Sequence, residues 1–202
     1  MKIFFITGKP ACGKDTQADF LAKRFRAQRV TVSDVAKAFF RRTKLRKLHV
    51  DGVTIDVQHQ KELFRRGDLF ASRFVIYLIR ERVLQSIRKH ESIVVSGSPR
   101  RALEARVYLD IFHQYCQLGE YYFIHPKISD REAIRRSLLR HRVDNLDRLK
   151  IIKERLTIFR KEVSPGIAYL KRQGALIDIS GQGTPRQVFQ RILREIHRRD
   201  SI

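Results

Sequence analysis

The sequence predicts an α/β protein, a three-layer sandwich in which a five-stranded parallel sheet lies between layers of helices. Three observations predict it. Five short apolar runs rich in β-branched or aromatic residues recur along the chain: Lys2–Thr7, Arg29–Val32, Ser92–Ser96, Glu120–Ile124 and Leu176–Ile179. None alternates strictly between apolar and polar, as expected of parallel strands covered on both faces. Between them lie stretches with helical spacing, rich in Arg, Lys, Leu and Glu, including Thr16–Phe25, Lys61–Lys89, Asp130–Leu139 and Leu149–Gln173. This alternation reads as a doubly wound sheet that binds ligands outside the carboxyl ends of its strands. The third observation is length: 202 residues with no internal repeat, low-complexity tract or linker suit one domain, here 1–202.

Composition narrows the function classes. With 43% hydrophobic and 32% charged residues, and no run approaching the ~18 apolar residues of a spanning helix, no membrane role is expected. The opening MKIFFITGKP lacks a small-residue cleavage site and runs straight into a glycine-rich loop, so it reads as a buried first strand and not as a secretion signal. Cys12 and Cys116 sit far apart, which makes a reduced, cytoplasmic setting the expectation. The histidines show no triad-like or metal-binding spacing. Lys+Arg of 43 against Asp+Glu of 21 gives a formal net charge of +22. That excess is spread along the chain and suits a phosphate-handling cleft on an arginine-rich surface, with nucleic acid as a secondary partner.

The first strand ends in Gly8-Lys9-Pro10-Ala11-Cys12-Gly13-Lys14-Asp15-Thr16. This is G-x-x-x-x-G-K between a strand and a helix, the context that defines a P-loop. Its glycines let the backbone curl so that N–H groups point at phosphate oxygens, and the helix N-terminus adds its positive dipole end. Gly8, Ala11, Cys12, Gly13, Lys14, Asp15 and Thr16 are therefore candidate ATP-binding residues, and Lys14 neutralises charge on the transferred group. The fold class is accordingly that of the P-loop NTPases. Other P-loop proteins place Ser or Thr directly after the lysine, facing magnesium; here Asp15 stands there and Thr16 follows.

Lys14-Asp15-Thr16-Gln17-Ala18 resembles the way adenylate kinases write this segment, and the resemblance extends over roughly residues 1–197. Val32-Ser33-Asp34-Val35-Ala36-Lys37 is similar to the family segment lining the monophosphate pocket, with Lys37 where the family has Arg. Lysine keeps the charge but loses the two-pronged grip; Arg41 or Arg42, one turn on, can help. Gly67-Asp68-Leu69-Phe70 resembles the Gly-x-Leu-Val segment beside the accepted base. Ser96-Gly97-Ser98-Pro99-Arg100-Arg101 looks like the family's Asp-Gly-Phe-Pro-Arg-Thr, in which the Arg bridges both nucleotides. Ser33, Lys37, Gly67, Leu69, Gly97, Arg100 and Glu104 are thus the monophosphate-binding candidates that the resemblance implies.

Further along, Arg136 and Arg140 share a helical face and, with Arg142-Val143-Asp144-Asn145, resemble the two sides of a lid in its short form. Arg155 looks like the arginine that reaches the transferring phosphates, although its spacing from Arg142 is longer than the family pattern. The resemblance implies a reversible phosphotransferase, ATP + AMP = 2 ADP, with Lys14, Arg100, Arg140, Arg142 and Arg155 around the moving group and Mg²⁺ as cofactor. It also implies a monophosphate-binding insertion over about 33–75, a short lid over about 136–146, and a monomer.

Three departures shape the expectations. Ser96 replaces the Asp that usually holds magnesium's water shell; Asp15 is expected either to substitute for it toward Mg²⁺ or only to complement the first turn of its helix. Arg101 replaces Thr. Glu104 replaces the Gln that reads adenine; a carboxylate only accepts unless protonated, which leaves GMP, CMP and deoxynucleotides open as acceptors. A catalytically weakened relative that binds nucleotides or RNA is the rival from another class.

Overall fold

The computed structural model describes residues 1–140 and 148–201. Strand β1 (Ile3–Ile6) is buried at every position because it lies mid-sheet, flanked by β5 (Ile93–Ser96) and β6 (Tyr121–Lys127). With β2 (Gln28–Thr31) and β7 (Leu176–Ser180) these form one sheet in the order β2-β5-β1-β6-β7, with every pairing parallel. The pleat sends alternate residues to opposite faces. Phe4 and Ile6 pack with α1 (Lys14–Phe25) and α9 (Pro185–Asp200) through Leu21, Val188, Ile192 and Ile196. Ile3 and Phe5 pack on the other face with Phe74, Tyr108, Phe112 and Leu170, which belong to α4 (Ser72–Arg88), α5 (Ala102–Tyr115) and α8 (Ser164–Arg172). The architecture is the three-layer α/β sandwich expected. No described helix is long and apolar enough to cross a membrane.

The register aligns the strand ends that matter. Ile6 pairs with Ser96 on one side and Ile124 on the other, and Ser96 pairs in turn with Thr31. The chain therefore leaves β1, β2 and β5 along one edge, delivering the glycine-rich loop, the Val32–Lys37 segment and the Gly97–Arg101 strap to one place. Strand β6 outruns its expected end at Ile124 and passes through Pro126, because beyond Ile124 β1 has stopped and only β7 pairs with it. A proline is tolerated where one partner strand is missing.

Three differences from the sequence reading concern the connections. Between α2 (Val32–Arg42) and α3 (Val57–Arg66) lies an antiparallel hairpin, β3 (Lys47–Val50) and β4 (Val53–Asp56), that the apolar runs did not reveal. It buries Leu48, Val50 and Ile55 against α4. The long helix expected over 61–89 is two helices, α3 and α4, broken at Gly67, which takes φ 74° and whose N–H closes α3 on Leu63 and Phe64 carbonyls. Gln60 Oε1 accepts from Ala71 N–H at 2.9 Å and fixes the intervening loop. The helix expected over 149–173 is α7 (Leu149–Ile158), a π-helical turn (Phe159–Val163) and α8. Pro165 sits in the first turn of α8; lacking an N–H, it cannot continue the preceding ladder, and the extra residue is absorbed as a π turn. One more helix, α6 (Asp130–Arg140), follows β6.

Candidate active site

Gly8 opens the loop at a position only glycine fills, since a Cβ there would lie 2.8 Å from Cys12 Sγ. Cys12 is thereby a packing residue, buried at 1% exposure, and burial pushes its thiol pKa up. Cys12 N–H closes back on Lys9 O (3.2 Å), and Gly13 caps α1 so that Lys14 is its first residue. The loop is pinned from outside by Lys9, whose Nζ donates to Ile128 O (2.9 Å) and pairs with Asp130 Oδ1 (2.6 Å).

Asp15 is the next residue on α1. Ser96, at the end of β5, donates its hydroxyl to Asp15 Oδ1 at 2.5 Å. Lys14 Nζ lies 3.5 Å from Oδ2 and Arg29 4.0 Å from Oδ1, while Arg29 itself pairs with Asp19 at 2.7 Å. Burial pushes the Asp15 pKa up, but Lys14, the Ser96 hydroxyl and Arg29 together bring it below the usual carboxylate value.

Two clefts meet at this loop. The first, about 540 Å³, is lined by Ser33, Lys37, Gly67, Leu69, Gly97, Arg100 and Glu104, all the residues expected for the monophosphate, together with Lys14, Asp15 and Arg155. The second, about 560 Å³, lies on the other side of the loop and is lined by Ala11, Cys12, Gly13, Lys14, Asp15, Thr16, Arg136 and Arg140. Gly8 faces a narrow passage of about 50 Å³ that also touches Lys14, Arg100 and Arg155. Of the five residues expected around the moving group, Lys14, Arg100 and Arg155 come together in the first cleft, and Arg140 lines the second. Arg142 lies outside the described residues, as do 141–146 of the expected lid.

Charge and hydrogen bonding set the walls. Arg100 is held by its Nε on Gly97 O at 3.0 Å; burial lowers its pKa, opposed by Glu104 and Asp15. Glu104, only 1% exposed, accepts at Oε2 from Arg100 N–H (2.8 Å) and Ser98 Oγ (3.0 Å), and burial raises its pKa. In the second cleft Arg136 donates to Glu132 (2.6 Å) and to Gly181 O (3.0 Å). Hydrogen bonds from Arg135 and Arg136 hold Glu132 down to about 2.

Sequence reasoning missed Arg29, Arg65 and Asp68 in the wall of the first cleft. Arg29 opens its apolar run, away from the carboxyl end where such sheets bind ligands, so its place in the strand gave no signal. Among the described residues no three His, Cys, Asp or Glu side chains converge as a ready-made metal cage.

No protein-family model matches the chain. Curated relatives do. The adenylate kinase of Thermus thermophilus is 26% identical over 187 residues, covering 92% of this chain and 91% of that protein. That of Prochlorococcus marinus is 27% identical over 195 residues, covering 96% and 98%. That of Encephalitozoon cuniculi is 25% identical over 191 residues, covering 95% and 96%. A likeness that runs nearly end to end in each, joined to a parallel α/β sheet with the glycine-rich loop after its first strand, makes this an adenylate kinase-like protein.

Proposed function

We propose that the protein is a nucleoside monophosphate kinase that transfers the terminal phosphoryl group of ATP reversibly to AMP. The observation that carries this reading is that Lys14 stands in the wall of both clefts. A cation shared by two nucleotide-sized spaces is placed to follow a phosphoryl group from one to the other. Such transfer asks the protein for positioning and charge neutralisation more than for covalent chemistry. Gly8, Ala11, Cys12, Gly13, Lys14, Asp15 and Thr16, with Arg136, hold ATP; Ser33, Lys37, Gly67, Leu69, Gly97 and Glu104 hold the monophosphate. Arg100, Arg155, Arg140 and Arg142 gather negative charge around the reacting oxygens. The insertion of about 33–75 and the short lid of about 136–146 close over the substrates and keep water from competing.

Magnesium fits this site as a cofactor that arrives with ATP. It binds through one or two carboxylates, waters and substrate phosphates, and Asp15 offers a carboxylate to both clefts. When bound, the ion neutralises charge developing on the phosphate oxygens.

The experiment is a coupled assay with ATP and Mg²⁺, offering AMP, GMP, CMP, UMP and dAMP in parallel. The expected result is turnover with AMP preferred, falling by about 10²-fold or more in Lys14→Ala, the scale of removing one charge-stabilising donor. No turnover with any acceptor would sink the reading. A second reading, another base as acceptor, is favoured by Glu104, whose carboxylate suits the paired donors of guanine; GMP preference in the same assay would select it.

A further inference from the structure

We infer that a carboxylate and a hydroxyl have exchanged places between the phosphate loop and its neighbouring strand, so that Asp15 and Ser96 act as one pair toward the metal–nucleotide complex. The inference rests on the proposed nucleotide-binding role of the loop. P-loop NTPases hold Mg²⁺ with a hydroxyl residue directly after the lysine and with an aspartate supplied separately. In this chain the residue after Lys14 is Asp15, and strand β5, beside β1, ends in Ser96. Both group types are present, each at the other's position.

The contact between them is direct. Ser96 is 2% exposed and donates its hydroxyl to Asp15 Oδ1 at 2.5 Å. That bond turns the carboxylate so that Oδ2 faces the Lys14 side, where Nζ lies 3.5 Å away. The Asp15 side chain keeps 53% exposure and lines both clefts. A carboxylate anchored by a buried hydroxyl and half exposed where two clefts meet suits a hard cation. The Lys14 pair uses Oδ2, and Arg29 does not account for the other oxygen. Arg29 has its close partner in Asp19 at 2.7 Å and stands 4.0 Å from Asp15. A carboxylate that merely complemented the first turn of α1 would have no need of Ser96.

The exchange makes a reciprocal prediction. Calorimetric titration of ATP, with Mg²⁺ and with EDTA, measures how much the metal tightens nucleotide binding, independently of turnover. The parent is expected to show a clear Mg²⁺ enhancement. Asp15→Ser loses it by about tenfold or more, the scale of removing a group that orients a metal site. The double variant Asp15→Ser/Ser96→Asp, which writes the pair the usual way round, recovers most of it. Affinity in EDTA and a thermal melt establish that each variant is folded. Two outcomes overturn the inference: an unchanged enhancement in Asp15→Ser, or a folded double variant no better than Asp15→Ser. A protein that fails to bind ATP under either condition overturns it as well. Should the reciprocal pattern appear while no monophosphate is phosphorylated, the exchange stands and the kinase reading falls.

Discussion

At Glu104 the first turn of α5 takes a carboxyl group out of water, and two donors, Arg100 N–H and Ser98 Oγ, share one of its oxygens. Burial raises its pKa above the ordinary value of 4.5, against the pull of those hydrogen bonds and of Arg100 and Arg101. The native state therefore holds this proton more tightly than the unfolded chain does. Stability is then lost as pH rises from the ordinary value through the raised one. Glu104→Gln keeps an acceptor for both donors and removes the titration. Thermal melts should show the variant gaining on the parent as pH rises above 4.5, with the gap closing at the acid end; a gap independent of pH would mean that burial is not what shifts the group. Residues of this kind were legible in unequal measure. Lys14 and Arg100 stand at fixed places in motifs marked by glycine and proline, so the sequence singles them out as candidates. The neighbour of Arg100 does something a sequence does not reveal: Arg101 turns away, donating to Phe70 O and pairing with Glu162 at 2.9 Å. Its partners lie 31 and 61 residues off in sequence, and only the fold brings them together.

Elements were legible where burial on both faces left an apolar signature, as in β1 and β5. The hairpin was not, since Lys47 and His49 point outward while Leu48 and Val50 point in, which dilutes so short a run. Its real signal is the Asp51-Gly52 pair, which takes φ 44° and 77°, the left-handed pair that a two-residue hairpin turn requires. Helix breaks escaped for a related reason: periodicity continues across Gly67 and the π turn, and only the backbone departs. Helix α9 shows the opposite case, a boundary written fully in the sequence. Thr184 accepts from Gln187 N–H, Gln187 Oε1 accepts from Thr184 N–H at 2.9 Å, and Pro185 follows the cap. This helix covers one face of the sheet through Val188, Ile192 and Ile196, so its start bears on the whole fold. Thr184→Ala should cost about 1 kcal/mol, read as a lower urea midpoint with unchanged slope; a changed slope would point to the ends of the molecule unfolding separately.

Across the whole molecule the question is what a net charge of +22 does. The first cleft carries Lys14, Arg29, Lys37, Arg65, Arg100 and Arg155 against Asp15, Asp34, Asp68 and Glu104, so its own excess is small. A larger imbalance lies beside it: residues 35–50 hold six Lys and Arg and no carboxylate. Arg41, Arg42, Lys44 and Arg46 are exposed, line neither cleft, and pair with no carboxylate among the described residues. Charges so placed act at a distance, drawing anionic nucleotides toward the cleft, and such steering is screened once the Debye length falls from about 10 Å at 0.1 M to about 3 Å at 1 M salt. Raising ionic strength should therefore lower kcat/KM for the nucleotides and leave kcat nearly constant. Neutralising these four residues together should flatten that dependence, because none of them touches the reacting groups. A slope unchanged by the four substitutions would mean that the surface charge does not serve the cleft. If the same variant then lost salt-sensitive RNA binding, the charge would belong to a polyanion partner and not to the kinase reaction.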